Sequence, residues 1–303
     1  MIYTVTLNPS IDYIVRLPHL ALGSVNRMTE DFKFPGGKGI NVSRILSRLN
    51  VENTALGFVG GFTGQFIQDE LTKENITTAF TPISADTRIN VKLKAEEETE
   101  INGAGPYISE EEQQQLKNKL QTLTEGDIVV LAGSVPPALS DGFYEELIEI
   151  ITSRHAQFVI DTTGKDLMTS LNYRPFLVKP NNHELAELFD TTFETMEDIF
   201  PYAKKLLEMG AQNVLISMAG DGALYFKDDD IYFAKPLKAE LKNSVGAGDS
   251  MIAGFIGGFA QTNDAIEAFK TGVACGSATA FSDDLADAEF IQHCLEQVTI
   301  EKL

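Results

Sequence analysis

Short apolar runs alternate along the chain with stretches of helical spacing. The runs predict buried strands and lie at residues 3–7, 54–59, 128–132, 158–161, 176–179 and 213–217. Between them, residues 42–49 place apolar side chains at the i, i+3, i+4 and i+7 positions of a helix, and residues 143–151 repeat a similar apolar stripe. This alternation predicts a mainly parallel sheet covered by helices on both faces, a three-layer α/β/α sandwich.

Two segments depart from this rhythm, residues 11–35 and 87–103. From Ile89 to Ala95, apolar and polar residues alternate with a period of two, which is typical of strands with one face exposed. We therefore predict half-exposed antiparallel strands in both segments. The predicted organisation is a major α/β domain of residues 1–10, 36–86 and 104–303, with a small β-sheet lid of residues 11–35 and 87–103.

Composition narrows the possible partners. A formal charge of −20 on 303 residues makes a nucleic-acid partner improbable, because the phosphate backbone binds basic surfaces. No apolar run is long enough to span a bilayer, and the first residues carry no secretory signal, so we expect a cytoplasmic protein without a membrane partner. Cys275 and Cys294 belong to no metal-binding motif, which predicts two reduced thiols.

The strongest candidate for chemistry is the segment Asn-Ser-Val-Gly-Ala-Gly-Asp-Ser at residues 243–250, which runs directly into a helical pattern. Its glycines let successive backbone N–H groups converge on one point, and the helix dipole adds partial positive charge there. Such a site stabilises an anion that gains charge during a reaction. Asp249 would lie in the first helical turn, where an isolated aspartate is usually only a helix cap.

Four ordered segments together resemble the ribokinase-like carbohydrate kinases, also called the phosphofructokinase-B family. They are Asn-Pro-Ser-Ile-Asp at 8–12, Gly-Gly-Lys-Gly-Ile-Asn-Val-Ser at 36–43, Lys-Pro-Asn-Asn-His-Glu at 179–184, and the segment 243–255. The resemblance covers essentially the whole chain. It implies a ribokinase-like sandwich with a β lid, ATP and a sugar phosphate as ligands, Mg²⁺ as cofactor, and a homodimer formed through the lids.

The resemblance also implies roles for individual residues. Asp249 would be the base that receives the acceptor's proton, and the anion hole would consist of Gly246, Ala247 and Gly248. The sugar phosphate would contact Asp12, Gly36, Gly37, Lys38, Asn41, Arg88, Lys92 and Ser134. The nucleotide would contact Lys179, Asn181, Ser217, Gly220, Gly222 and Gly248. Asn181 and Glu184 would hold Mg²⁺ indirectly, through water.

Two other classes of nucleotide-dependent enzyme are excluded because their sequence motifs are missing. A dinucleotide-binding dehydrogenase needs GxGxxG directly after a strand, and no such run occurs. A P-loop kinase needs Gly-Lys followed by Ser or Thr, but the pairs at residues 37–38 and 164–165 are followed by Gly39 and Asp166. A non-catalytic sensor of sugar phosphate or nucleotide remains as an alternative of a different class.

Three cations favour an acceptor that already carries a phosphate: Lys38, Arg88 and Lys92. The segments 1–13, 23–28 and 100–103 most resemble family members that act on fructose 1-phosphate. We therefore predict ATP-dependent phosphorylation of the C6 hydroxyl of fructose 1-phosphate, giving fructose 1,6-bisphosphate and ADP. Tagatose 6-phosphate is the alternative acceptor.

Overall fold

The computed structural model of the chain describes all 303 residues. In chain order its strands are β1 (Ile2–Thr6), β2 (Ser10–Arg16), β3 (Glu30–Gly36), β4 (Asn53–Val59), β5 (Thr77–Thr78), β6 (Thr81–Pro82), β7 (Arg88–Lys94), β8 (Glu98–Ile101), β9 (Ile128–Ala132), β10 (Gln157–Asp161), β11 (Leu177–Val178), β12 (Val214–Ser217), β13 (Ala223–Lys227), β14 (Asp230–Ala234) and β15 (Ile300–Lys302). Its α-helices are α1 (Lys38–Arg48), α2 (Gly61–Lys73), α3 (Glu110–Leu120), α4 (Phe143–Ser153), α5 (Gly164–Ser170), α6 (Asn182–Leu188), α7 (Phe200–Glu208), α8 (Ala247–Thr262), α9 (Ala265–Ala280) and α10 (Ala288–Leu295).

The large sheet has the strand order β15-β14-β13-β12-β11-β10-β9-β1-β4-β5, with β6 also paired to β4. Every pair from β12 to β5 is parallel, whereas β13, β14 and β15 add antiparallel strands at one edge. The predicted mainly parallel sheet is confirmed.

The two faces of this sheet bury separate hydrophobic cores. Along β9, Val129 and Leu131 pack into the core that includes α3 and α4, while Ile128 and Val130 pack into the core that includes α1, α8 and α9. A strand covered on both faces has no solvent side, which explains why its sequence is apolar throughout. The three-layer α/β/α architecture follows from these two cores.

The small sheet has the order β3-β2-β7-β8. β2–β3 and β7–β8 are antiparallel hairpins, as expected, but β2 and β7 pair in parallel, with Ser10 opposite Arg88 and Ile14 opposite Lys92. The expectation of antiparallel strands throughout is therefore wrong for the central pair. Both strands begin where the chain leaves the large sheet, so they run in the same direction.

Helices α8 and α9 pack very closely. A Cβ atom on Gly254 would lie 2.6 Å from the carbonyl oxygen of Thr271 and 2.7 Å from the Cα of Gly272, so only glycine fits there. Cys275 and Cys294 are buried near this helix pair and form no disulfide. None of the helices combines the length and the apolar character needed to cross a membrane.

Candidate active site

The candidate site lies at the carboxyl edge of the large sheet, where parallel strands end side by side. Five polar residues follow or end neighbouring strands along this edge: Asn8 after β1, Ser134 after β9, Asp161 at the end of β10, Lys179 after β11 and Ser217 at the end of β12. The parallel topology therefore gathers side chains that are far apart in sequence.

The start of α8 forms one wall of the site. Gly246 has φ +80°, and a Cβ atom there would lie 2.7 Å from Cδ2 of Leu285. A side chain at this position would meet both a strained backbone and a steric clash. The N–H groups of Gly248 and Asp249 find no acceptor within the protein, while that of Ala247 points to the carbonyl of Ser244 at 3.4 Å. The first turn of α8 thus presents free donors and the positive end of a helix dipole.

Asp249 lies in this first turn and is only 6% exposed. Nδ2 of Asn41 donates to its Oδ2 atom at 2.8 Å, which links the starts of α1 and α8. Burial, together with the negative charge of Asp161, raises the pKa of Asp249 to about 6. The carboxylate is therefore ionised at neutral pH and still basic enough to take a proton during a reaction.

Asp161 is the buried charge that organises the cations. Its Oδ2 atom accepts a hydrogen bond from Nζ of Lys38 at 2.6 Å, and its Oδ1 atom lies 3.6 Å from Nζ of Lys179. Burial alone would raise the pKa of Asp161, but the charges of Lys179 and Lys38 outweigh it and lower that pKa. Sequence reasoning missed Asp161, although a lone aspartate ending a buried strand was the available signal.

Lys179 also reaches the start of α8. A Cβ atom on Gly248 would lie 3.0 Å from Nζ of Lys179, so the ammonium group lies directly against the first helical turn. The absence of a side chain at Gly248 permits this approach. A cation and free backbone donors therefore face the same space, as an anion that gains charge requires.

Asn181 and Glu184 form a capping box at the start of α6. The N–H of Asn181 donates to Oε2 of Glu184, and the N–H of Glu184 donates to Oδ1 of Asn181, both at 2.8 Å. Glu184 is nevertheless close enough to Lys38 to help raise the pKa of that lysine, against the opposing effect of burial. The box thus fixes a partly exposed carboxylate at the edge of the site.

A second polar group lies on the small sheet. Oδ1 of Asp12 accepts hydrogen bonds from Ser10 at 2.8 Å and from Asn90 at 3.1 Å. A Cβ atom on Gly36 would lie 2.5 Å from this carboxyl group, so the glycine makes room for it. Lys92 is buried beside Oδ2 of Asp12 at 3.8 Å. Ser10 and Asn90 were not predicted as site residues.

Arg88, at the start of β7, shares a face of that strand with Asn90 and Lys92, because alternate residues of a strand point to the same side. Its guanidinium donates to the main-chain carbonyl oxygens of Asn8, from Nε at 3.2 Å and Nη2 at 2.9 Å, and of Gly103, from Nη1 at 2.7 Å. Lys92 forms an ion pair with Glu100 at 3.2 Å. Both predicted phosphate contacts are thus held in position by the protein itself.

The remaining predicted nucleotide contacts lie together beyond β12. Ser217 ends that strand and forms an isolated parallel β-bridge with Asn181. Gly220 lies in a short 3-10 turn, Ala219–Asp221. Gly222 has φ +97°, and a Cβ atom there would lie 2.3 Å from the carbonyl oxygen of Ala234. Gly222 is required by the close approach of β14, whatever else it contacts. Gly37, with φ +123°, is required by its contact with Thr6 in the same way.

The arrangement combines a buried carboxylate, two ammonium groups and a helix start with free donors. The model of the pfkB family of carbohydrate kinases matches residues 5–288. The chain belongs to the pfkB family of carbohydrate kinases. The resemblance inferred from four short segments is confirmed over almost the whole chain.

Individual known proteins align with all or nearly all of the chain. A 1-phosphofructokinase from Bacillus subtilis is 52% identical over 303 residues, with 100% of both chains covered. A D-tagatose-1-phosphate kinase from Bacillus licheniformis is 38% identical over 304 residues, again with 100% of both chains covered. The structure of phosphofructokinase-2 from Escherichia coli in complex with fructose-6-phosphate has a TM-score of 0.91 at 29% identity, covering 98% of both chains. A tetrameric inhibited form of that protein has a TM-score of 0.90 at the same identity and coverage.

Proposed function

We propose that this kinase transfers the γ-phosphoryl group of ATP to the C6 hydroxyl of fructose 1-phosphate, giving fructose 1,6-bisphosphate and ADP. The full-length identity of 52% to a 1-phosphofructokinase supports the choice of acceptor. The observation that carries the chemistry is the pairing of Asp249, with a pKa of about 6, with free N–H groups in the same helical turn.

Asp249 acts as the base in this proposal. It orients the acceptor hydroxyl first and takes its proton late, because an alcohol holds its proton too tightly for early removal by a carboxylate. In the predicted anion hole of Gly246, Ala247 and Gly248, the free N–H of Gly248 stabilises charge on the transferred group, while the N–H of Ala247 has only a long contact of 3.4 Å with the carbonyl of Ser244. Phosphoryl transfer passes through a loose transition state, so positioning and charge stabilisation are the main work of the protein.

Magnesium is the proposed cofactor, with Asn181 and Glu184 as indirect ligands through water. One carboxylate oxygen of Glu184 is used by the capping box, and the other has no partner in the protein. No group of three or more acidic, histidine or cysteine side chains gathers at this site or elsewhere, so the protein would supply few direct ligands. This donor set fits Mg²⁺, which retains water and binds through one or two carboxylates and the nucleotide phosphates. When bound, the ion neutralises phosphate charge.

The segments 11–35 and 87–103 are proposed to act as a lid and to pair with the lid of a second copy. They carry six of the twelve exposed large hydrophobic side chains: Leu22, Val25, Met28, Phe32, Ile89 and Ile101. Strands β3 and β8 also leave open edges at either side of the small sheet. Pairing of two lids would cover both features, and closure would exclude water from the γ-phosphate.

D-tagatose 1-phosphate is a second candidate acceptor, supported by the relative named for that substrate at 38% identity. The sequence had suggested tagatose 6-phosphate as the alternative instead. Fructose and tagatose differ only in configuration at C4, so one pocket could accept both 1-phosphates.

The test compares kcat/KM for four acceptors, fructose 1-phosphate, tagatose 1-phosphate, fructose 6-phosphate and tagatose 6-phosphate, with ADP release as the readout. We expect fructose 1-phosphate to have the highest value, at least ~10-fold above the others, the discrimination that one or two hydrogen bonds provide. A higher value for either 6-phosphate would overturn the proposal. Binding without ADP release would identify a sensor.

A further inference from the structure

Asn8 follows β1 and belongs to the Asn-Pro-Ser segment, to which no role has been assigned so far. The residue is 3% exposed and contacts three separate parts of the chain. Its main-chain carbonyl and its side chain each hold one of the residues proposed to bind the acceptor's phosphate.

The main-chain carbonyl of Asn8 accepts two of the hydrogen bonds from Arg88 described above. A guanidinium has five N–H groups. Two of those of Arg88 donate to Asn8 and a third donates to Gly103, so two remain for a ligand. Since any residue at position 8 retains this carbonyl, substitutions there leave the anchor of Arg88 in place. They therefore isolate the contribution of the side chain.

The side chain of Asn8 holds Ser134. Its Nδ2 atom donates to the carbonyl oxygen of Ala104 at 3.1 Å and to Oγ of Ser134 at 3.4 Å. Because the serine oxygen accepts in this bond, its own O–H hydrogen stays free to donate. Ser134 makes no other side-chain hydrogen bond. The amide thus fixes the serine oxygen and leaves its hydrogen for an incoming anion.

The cost of this arrangement is an unsatisfied acceptor. Oδ1 of Asn8 is buried without a partner, and a Cβ atom on Gly105 would lie 2.5 Å from it. Leaving a buried acceptor unpaired destabilises the folded protein. An unpaired group of this kind calls for an explanation other than stability, and the two donor contacts of Nδ2 supply one.

We propose that Asn8 is a positioning residue for the acceptor's phosphate, acting through Ser134. This inference rests on the proposed function, in which Arg88 and Ser134 bind that phosphate. Asn8 itself does not touch the substrate in this proposal. Its amide donates to Ser134 so that the serine O–H and the two free N–H groups of Arg88 converge on one phosphate group.

The test measures KM and kcat for Asn8→Ala, Ser134→Ala and the double variant, with fructose 1-phosphate and ATP. We expect each single variant to raise the KM for fructose 1-phosphate by about tenfold, the scale of one hydrogen bond to a charged group. We expect kcat and the KM for ATP to stay within about twofold, because the base and the nucleotide contacts are unchanged. In the Ser134→Ala background, adding Asn8→Ala should raise KM by less than about twofold.

Asn53→Ala is the matched control. Asn53 is also a buried asparagine, its Nδ2 atom donates to two carbonyl oxygens, and its Oδ1 atom has no partner. It begins β4 at the opposite edge of the sheet. This variant should lose similar stability and leave the KM for fructose 1-phosphate unchanged. A parallel rise in KM in the control would mean that general loosening, not positioning, causes the effect.

Two outcomes overturn the inference while leaving the proposed function intact: an unchanged KM in Asn8→Ala, or KM effects that multiply fully in the double variant. If Asn8→Ala does not fold, Asn8→Asp replaces it, because a carboxylate keeps the shape of the side chain but cannot donate to Ser134. An unchanged KM for fructose 1-phosphate in Asn8→Asp would also overturn the inference. Failure of the proposed function is recognised separately, by wild-type protein that does not turn over fructose 1-phosphate. The same variants are then measured with the best of the four acceptors.

Discussion

Two helices begin at the site after glycines, and their first turns carry opposite charges. α1 follows Gly37 and starts with Lys38, whereas α8 follows Gly246 and has Asp249 in its first turn. A helix start favours an anion and disfavours a cation. Lys38 is therefore in the less favourable position, and its ion pair with Asp161 offsets this.

Asp249 is in the favourable position but is buried beside the charge of Asp161, which raises its pKa. A helix that begins after a glycine thus carries a cation in one case and a carboxylate with a raised pKa in the other. In the proposed mechanism, one helix start holds a cation for an anionic ligand, and the other holds a base whose pKa is raised by burial and by Asp161. A single buried carboxylate, Asp161, contributes to both, through its ion pair with Lys38 and its charge beside Asp249.

The largest effect should come from removing the base. Asp249→Asn keeps the shape of the side chain but cannot accept a proton, so kcat should fall by at least ~10²-fold with little change in either KM. Steady-state ADP release measures this. Asp287→Asn, which changes the capping aspartate of α10 outside the site, should leave kcat unchanged. Near-normal turnover by Asp249→Asn would remove Asp249 from its role and break the contrast between the two helix starts.

The pH dependence tests the raised pKa directly. With a pKa of about 6, Asp249 loses its ionised form as the pH falls, so kcat/KM should drop by about tenfold per pH unit well below 6. The substrate's phosphate titrates in the same range. The residual activity of Asp249→Asn is therefore the control, because the acid limb of its pH–rate profile reports only the titration of the substrate's phosphate. Identical profiles for the two proteins would count against this assignment.

Asp161→Asn should shift that acid limb to lower pH. The charge of Asp161 helps to raise the pKa of Asp249, and its removal also frees Lys38 and Lys179 to act on the base. Both changes lower the pKa, so activity at pH 5 relative to pH 7 should increase by a few fold. Lys38→Met is the opposite control, because removing a cation should move the limb to higher pH. Shifts in the same direction would disprove the shared role of Asp161.

The sequence predicted the local parts of this comparison and missed its connections. The apolar runs gave the parallel strands and the glycine-rich segment gave the start of α8, because both depend on nearby residues. The pair between Lys38 and Asp161 joins residues 123 positions apart. Whether it forms depends on which strands are neighbours in the sheet, and hydrophobic periodicity does not encode that order.

The parallel pairing of β2 and β7 was missed for the same reason. Alternating patterns predict strands and their exposed faces, but they do not give the direction of a partner strand. The two-residue strands β5 and β6 are too short to produce a recognisable period. The hydrogen bond between Asn8 and Ser134 likewise depends on loops after two neighbouring strands, β1 and β9.

The smallest effect should be on stability. Removing the charge at the start of α8 should stabilise the protein, whereas removing the charge at the start of α1 should not. The pKa of Asp249 rises from 3.8 in the unfolded chain to about 6 on folding, so the ionised carboxylate costs stability at neutral pH. Asp249→Asn should raise the free energy of unfolding at pH 7.5 on the order of 3 kcal/mol, and the gain should vanish as the pH falls through 6 towards 4. Lys38→Met removes a favourable ion pair and should not stabilise the protein. Urea unfolding at pH 7.5, 6 and 5 measures the free energy of unfolding of both variants. If the stabilisation of Asp249→Asn grew at low pH, burial would not raise the pKa of Asp249.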